Sequence, residues 1–223
     1  MLSSPSRSQT SVKKMGRIRT KTIPEQVIAE KRAKILARTY FNRSTLDVAR
    51  SLIGKHLVRQ TSNGLLSGRI VETEAYIGPE DLACHASRGR TARTDVMFGP
   101  AGVAYVYLIY GMYHCLNVVT EREGYPAAVL IRAVEETESA SLIDGPGRVC
   151  RFFDIDRQLN RWDLTQRERL WLEDRSERVE NEVLASPRIG VDYAGEWAAK
   201  PFRFRLAHLT RQARPARVKK QSC

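Results

Sequence analysis

The sequence predicts an α+β fold, one domain around a central antiparallel sheet, on three observations. Two strand-like runs, residues 56–60 and 65–76, flank Asn63-Gly64, the strongest short-range hairpin signal. A third strand-like run, 103–109, is broken by Gly111-Met112 before another begins near His114. Helix signals stand at the two ends of this run of strands, and no internal repeat divides the 223 residues, a length that suits a single sizeable core.

In chain order, Thr22-Ile23-Pro24-Glu25 reads as a capping box with Pro in the first turn, starting a helix whose apolar positions include Val27, Ile28, Ile35 and Leu36. Ser44-Thr45-Leu46-Asp47 caps a second helix through Leu52 and Ile53, which Gly54 stops because it tolerates positive φ. The two hairpins and a strand over 127–133 follow. After Gly145-Pro146-Gly147 a short helix carries Val149, Phe152 and Phe153, and Asp163 caps another with Leu164, Leu170 and Leu172. The alternating acids and bases of 167–182 read as a solvated face, and 189–191 and 202–206 as late strands.

The net charge of +12 suggests a polyanionic partner, but its location matters more than its sum. Residues 1–24 hold six cationic side chains and 211–223 hold five, with no acid in either, so residues 25–210 are near neutral. The chain therefore divides into a basic N-terminal tail (1–24), a folded domain (25–210) and a basic C-terminal tail (211–223). Lacking apolar periodicity, the tails are expected to be disordered and to add sequence-blind attraction to phosphates. Simple solubilising tails, a start at Met15 or a transit peptide are other readings of the same composition. No run approaches the ~20 apolar residues of a membrane span, and no secretory signal is visible. Cys84, Cys115, Cys150 and Cys223 match no disulfide or zinc spacing, which argues for a reducing compartment and no metal site.

Four of the eight tyrosines, Tyr105, Tyr107, Tyr110 and Tyr113, fall within nine residues around a hairpin turn. A phenol offers a flat face for a nucleobase and one hydrogen bond, so such a hairpin suits a protein that handles bases; a half-buried strand is the alternative. On the strand 68–76, alternation puts Ile70, Glu72, Glu74 and Tyr76 on one face and Val71, Thr73 and Ala75 on the other. Two carboxylates then lie ~7 Å apart, a spacing that serves hydrolysis of a glycosidic bond or equally decorates a wet face. Beyond the Gly78-Pro79-Glu80-Asp81 turn come His85 and the Arg88, Arg90 and Arg93 cluster, a loop able to contact phosphate.

Taken together, Gly-Arg-Ile-Val-Glu-Thr-Glu-Ala-Tyr (68–76), Gly-Pro-Glu-Asp (78–81) with His85, and Tyr-Val-Tyr-Leu-Ile-Tyr-Gly-Met-Tyr (105–113) with Asn117 closely resemble the alkyladenine (3-methyladenine) DNA glycosylase family. The resemblance runs from about residue 41 to 206 and includes Leu-Ile-Arg-Ala (130–133), Asp-Gly-Pro-Gly (144–147), Ser-Pro-Arg-Ile-Gly-Val (186–191) and Tyr-Ala-Gly-Glu-Trp (193–197). It implies a curved antiparallel sheet with a protruding hairpin, surrounded by α-helices. It also implies a monofunctional enzyme that flips damaged purines out of double-stranded DNA and hydrolyses the N-glycosylic bond without metal or other cofactor.

By the same resemblance Glu74 is the general base and Arg132 helps hold the attacking water, together with a backbone carbonyl in 189–191. Tyr76, His85 and Tyr107 sandwich the flipped base, and Asn117 obstructs the 2-amino group of guanine. Tyr110 enters the minor groove, with Met112 and Tyr113 close by. A cationic alkylated purine would gain roughly 0.5 to 2 kcal/mol on an aromatic face. One departure stands out: 134–143, usually longer and basic in the family, is short and acidic here, with Glu135, Glu136 and Glu138. A monomer is expected, placed with the DNA: in cytoplasm or nucleoid if bacterial, in the nucleus if eukaryotic. A non-catalytic binding protein that uses the hairpin as a stacking platform, and a carbohydrate glycosidase using Glu72 and Glu74, are the competing readings.

Overall fold

The computed structural model describes residues 33–179 and 182–209; both tails and the part of the expected Thr22 helix before residue 33 lie outside them. The strands are β1 (Lys34–Ile35), β2 (His56–Thr61), β3 (Gly64–Tyr76), β4 (Ala104–Ile109), β5 (Tyr113–Val119), β6 (Ala128–Glu136), β7 (Leu142–Asp144), β8 (Leu170–Asp174), β9 (Val183–Ser186) and β10 (Arg203–Leu206). They form one curled antiparallel sheet in the order β1-β8-β2-β3-β6-β5-β4, with β7 on β6 and a β9–β10 pair joined to β3. Among the described residues three α-helices, α1 (Arg38–Phe41), α2 (Thr45–Leu52) and α3 (Pro146–Phe152), accompany it, alongside four 3-10 segments.

Strand β3 is the spine. Its first half pairs with β2, its second half with β10 on the same edge, and most of its length with β6 on the other. Helix α2 buries Val48, Ala49 and Leu52, spaced three and four apart, against the sheet, and Thr73 Oγ1 ties the two by donating to the Ala49 carbonyl at 2.8 Å. The expected Ser44 cap makes no side-chain bond. Glu121 Oε1 instead accepts from Thr45 N at 2.8 Å and Thr45 Oγ1 at 2.9 Å, so a distant carboxylate satisfies the first turn. The short helix expected after Gly147 is α3, which starts at Pro146, a residue earlier than expected with Pro in its first turn, and packs under the tyrosine hairpin. A Cβ on Gly147 would come within 3.1 Å of Tyr113, so glycine permits that approach.

Several expectations give way. Ile35 lies in β1 and Leu36 donates to the Leu172 carbonyl at 2.9 Å, so this segment is sheet edge and not helix. Asp163 caps no helix: its carboxylate accepts from Thr165 in a local turn, and Leu170 and Leu172 belong to β8, where both faces are buried and helical spacing is lost. The charge alternation there hides a strand whose Glu173 is 2% exposed and accepts from Trp171 Nε1 and Arg175 Nε. Residues 189–191 form a bend, since Gly190 at φ +76° leaves extended geometry; the late strand is instead Val183–Ser186. The first hairpin turns one residue early, with Thr61 opposite Gly64 and Ser62-Asn63 in the loop.

Candidate active site

Two bulges face each other where β3 meets β6. Ile70 pairs with Val134, Glu72 with Ala133 and Thr73 with Ile131, so Val71 is the extra residue on β3 and Arg132 the extra residue on β6. The expected alternation is therefore broken: Ile70 joins Val71 and Ala75 in the main core, while Glu72 and Glu74 keep company with Arg132. Bulges commonly re-aim side chains beside functional sites. Here they bring a guanidinium between two carboxylates.

Glu74 is fully buried. Its Oε2 accepts from Tyr76 OH at 2.9 Å and Arg132 Nη1 at 3.2 Å, and its Oε1 accepts from the backbone N of Ile189 at 2.8 Å. A carboxylate has about four lone-pair sites, so one remains on Oε1 for a further donor. Arg132 also donates Nε to Glu72 Oε1 at 3.2 Å, and Arg203 Nη1 lies 3.5 Å from the same oxygen. Burial disfavours the Arg132 charge, but the carboxylates of Glu74 and Glu72 outweigh it and its pKa is raised. Glu72 is thus committed to two guanidinium groups. This leaves it poorly suited to be the second free carboxylate of a carbohydrate glycosidase.

Tyr76, Arg132 and Ile189, the groups that hold Glu74, all line a cavity of about 130 Å³, together with His85, Tyr107 and Asn117. The resemblance's pocket residues thus converge on one space. His85 and Tyr107 meet edge to face with ring centroids 4.6 Å apart, and His85 Nδ1 lies 3.0 Å from Tyr105 OH. Burial, then the Arg93 charge, push the His85 pKa down to about 4, so its ring is neutral at pH 7. Burial, then the Glu74 carboxylate, push the Tyr76 phenol well above its ordinary value, which keeps it a donor to that carboxylate. Tyr107 is shifted upward too, chiefly by burial. Asn117 is 4% exposed and donates to the Tyr105 carbonyl at 3.2 Å.

The hairpin tip is the opposite environment. Tyr110, Met112 and Tyr113 are 83%, 69% and 40% exposed. Met112 N donates to the Ile109 carbonyl at 3.2 Å across a turn in which Tyr110 and Gly111 take φ of +52° and +68°. A tyrosine in that conformation costs roughly 1–2 kcal/mol, which the sheet beneath must offset.

The three arginines of the following loop separate. Arg90 is bound to Asp95 at 2.6 Å, Arg93 places its Cζ 4.8 Å from the centroid of Tyr107, and Arg88 lines a neighbouring cavity together with Arg93, Leu82 and Tyr193. The acidic segment is absorbed locally: Glu135 pairs with Arg69 and Glu136 accepts from Ser139.

Sequence reasoning missed the support beneath the pocket. Arg188 and Asp81, both side chains fully buried, form a bidentate pair; Arg188 also donates to the Ala75 carbonyl at 2.8 Å and stands 4.8 Å over the Tyr76 ring. Asp81 in turn accepts from the backbone N of Ile77 and Ala83. One turn carboxylate and one bend guanidinium thus brace the Tyr76 face. Both residues lie within the recognised motifs, but their pairing across more than a hundred residues leaves no local signal.

Comparison with known proteins places these features in context. A family model described as Methylpurine-DNA glycosylase matches residues 39–210. A Methanocella arvoryzae protein named "Putative 3-methyladenine DNA glycosylase" is 52% identical over 184 residues, 76% of this chain and 91% of its own length. Proteins of the same name from Myxococcus xanthus and Legionella pneumophila are 51% and 49% identical, over 82% and 76% of this chain and 97% and 92% of their own lengths.

Proposed function

The chain belongs to the methylpurine-DNA glycosylase family and is a DNA glycosylase, a hydrolase acting on DNA; from that premise we propose that it removes alkylated and deaminated purines from duplex DNA by Glu74-activated water. The substrates in view are 3-methyladenine, 7-methylguanine, hypoxanthine and ethenoadenine. The observation that carries the reading is a fully buried carboxylate whose three donors, on Tyr76, Arg132 and Ile189, line an aromatic cavity. A pure stacking platform has no use for such a group, since burying it costs free energy that only its bonds offset.

The flipped purine stacks among Tyr76, His85 and Tyr107. A water held by Arg132 and a backbone carbonyl of 189–191 gives a proton to the remaining lone pair of Glu74 as its oxygen bonds to C1′. The N-glycosylic electron pair leaves with the purine, and an abasic site remains. Asn117 blocks the 2-amino group of normal guanine. Tyr110, flanked by Met112 and Tyr113, fills the gap in the duplex, recovering part of the few kcal/mol spent on extrusion. Arg88, with Arg90 as a further candidate, and the basic tails contact phosphate, and the protein acts as a monomer in the compartment that holds the DNA. No step calls for a metal or other cofactor.

The test is a panel of duplexes, each with one lesion, incubated with the protein and then cleaved at abasic sites with alkali. Base release from at least one purine lesion is expected, with undamaged duplex left whole. Release from none of them would overturn the reading.

A further inference from the structure

The charges around the cavity are compensated with one exception. Arg132 is paired with Glu74 and Glu72, Arg203 lies by Glu72, and Arg188 is paired with Asp81. Arg93 has no carboxylate within ion-pair distance among the described residues, yet its guanidinium lies over Tyr107, one of the rings proposed to hold the base. The other proposed stacking ring, Tyr76, likewise has a guanidinium over it, that of Arg188, with both Cζ-to-centroid distances 4.8 Å. A cation therefore already engages one face of each proposed stacking ring, leaving the opposite face for a base.

We propose that Arg93 is a specificity-determining residue that biases the cavity toward neutral purine lesions over permanently cationic ones. This rests on the glycosylase reading above and deepens it. Because Arg93 occupies one face of Tyr107, a base must use the other, and stacking ~3.5 Å beyond the ring puts it ~8 Å from the guanidinium. A unit charge at that distance, at the effective dielectric of ~20 found near protein surfaces, discriminates between a cation and a neutral ring by roughly tenfold or more. The Arg93 field reaches the cavity, since it acts on the His85 ring. The rings that would face the base, Tyr76, Tyr107 and His85, are neutral at pH 7.5, and the Glu74 carboxylate is balanced by Arg132 at 3.2 Å, so neither offsets it.

The experiment measures single-turnover excision of 7-methylguanine, a cation, and hypoxanthine, a neutral base, from one duplex context at pH 7.5. Wild type, Arg93→Gln and Arg93→Lys are compared, along with affinity for undamaged duplex. Arg93 is exposed, so its replacement leaves folding intact. Arg93→Gln is expected to raise the ratio of 7-methylguanine to hypoxanthine excision roughly tenfold, while Arg93→Lys, which keeps the charge, stays near wild type. A uniform loss on both lesions and on undamaged duplex would make Arg93 a phosphate contact and overturn the proposal, as would a ratio unchanged within about twofold. Wild type that releases neither base would overturn the glycosylase reading itself, a distinguishable failure.

Discussion

The wall of the cavity and the tip of the hairpin are built from the same residue type and treated in opposite ways. At the wall, Tyr76 and Tyr105 have hydroxyls engaged by Glu74 and His85, and Tyr105 is 1% exposed. At the tip, Tyr110 is 83% exposed on a backbone with φ of +52°. The difference matches the two jobs proposed for them. Chemistry needs groups whose positions are fixed before the substrate arrives, because a catalytic carboxylate that must reorganise loses its advantage. Penetration needs an apolar surface left unpaired until a duplex receives it. Changes at the wall should therefore affect the reaction and the fold, and changes at the tip should affect only what happens on DNA.

The largest effect that sharpens this contrast is expected from Glu74→Gln. The amide can still accept from Ile189 N or Arg132, but it cannot take a proton from water at neutral pH. Single-turnover excision should fall by about 10²–10⁴. Affinity for lesion-containing duplex should stay within a few-fold, because the tip and the stacking rings are untouched. A variant that retains excision within tenfold of wild type would remove Glu74 from the role of base and break the division between wall and tip.

A smaller effect is expected from acid. His85 has an ordinary pKa of 6.5 when unfolded and about 4 in the fold, lowered first by burial and then by Arg93. As pH falls below 6.5 the unfolded chain takes up a proton that the folded ring refuses, so stability is lost across the window down to about 4 and the loss is complete below it. Comparing denaturant unfolding of wild type and His85→Gln at pH 7.5 and pH 4.5 should show wild type losing on the order of 2 kcal/mol more than the variant. Tyr110 variants should show no such differential. Equal acid loss in wild type and His85→Gln would mean the ring titrates normally and the wall is wetter than its packing implies.

How much of this contrast was legible in the chain depends on whether the signal was local. Glu74 and Tyr76 share a face two residues apart, and the structure keeps them together at 2.9 Å, because period-2 alternation survives in that part of β3. Ile70 was misplaced, because a bulge is a register event between two strands and neither strand alone announces it. Glu173 was misread for a related reason: acids and bases alternating along 167–182 look wet, and only the Trp171 and Arg175 donors make its burial tolerable. The Arg188 and Asp81 brace was invisible as a pair, being a long-range bond between a bend and a turn. The tip was the most legible part, since Gly111 and a dense tyrosine run are both local statements.

The smallest effect is the one that most directly tests the independence of the tip. Tyr110 holds φ of +52°, where an L side chain is disfavoured, and its ring is largely in solvent. Glycine at this position loses little packing and relieves the backbone, offset by the greater freedom it gives the unfolded chain. Tyr110→Gly should therefore leave stability within about 1 kcal/mol of wild type, measured by denaturant unfolding. On DNA the same change removes the group proposed to fill the vacated space, so excision from duplex should fall while excision of the same lesion from single strand, where nothing needs to be wedged open, is largely spared. If Tyr110→Gly instead slowed both substrates equally, the tip would be acting on the cavity through the hairpin, and wall and tip would have to be treated as one device.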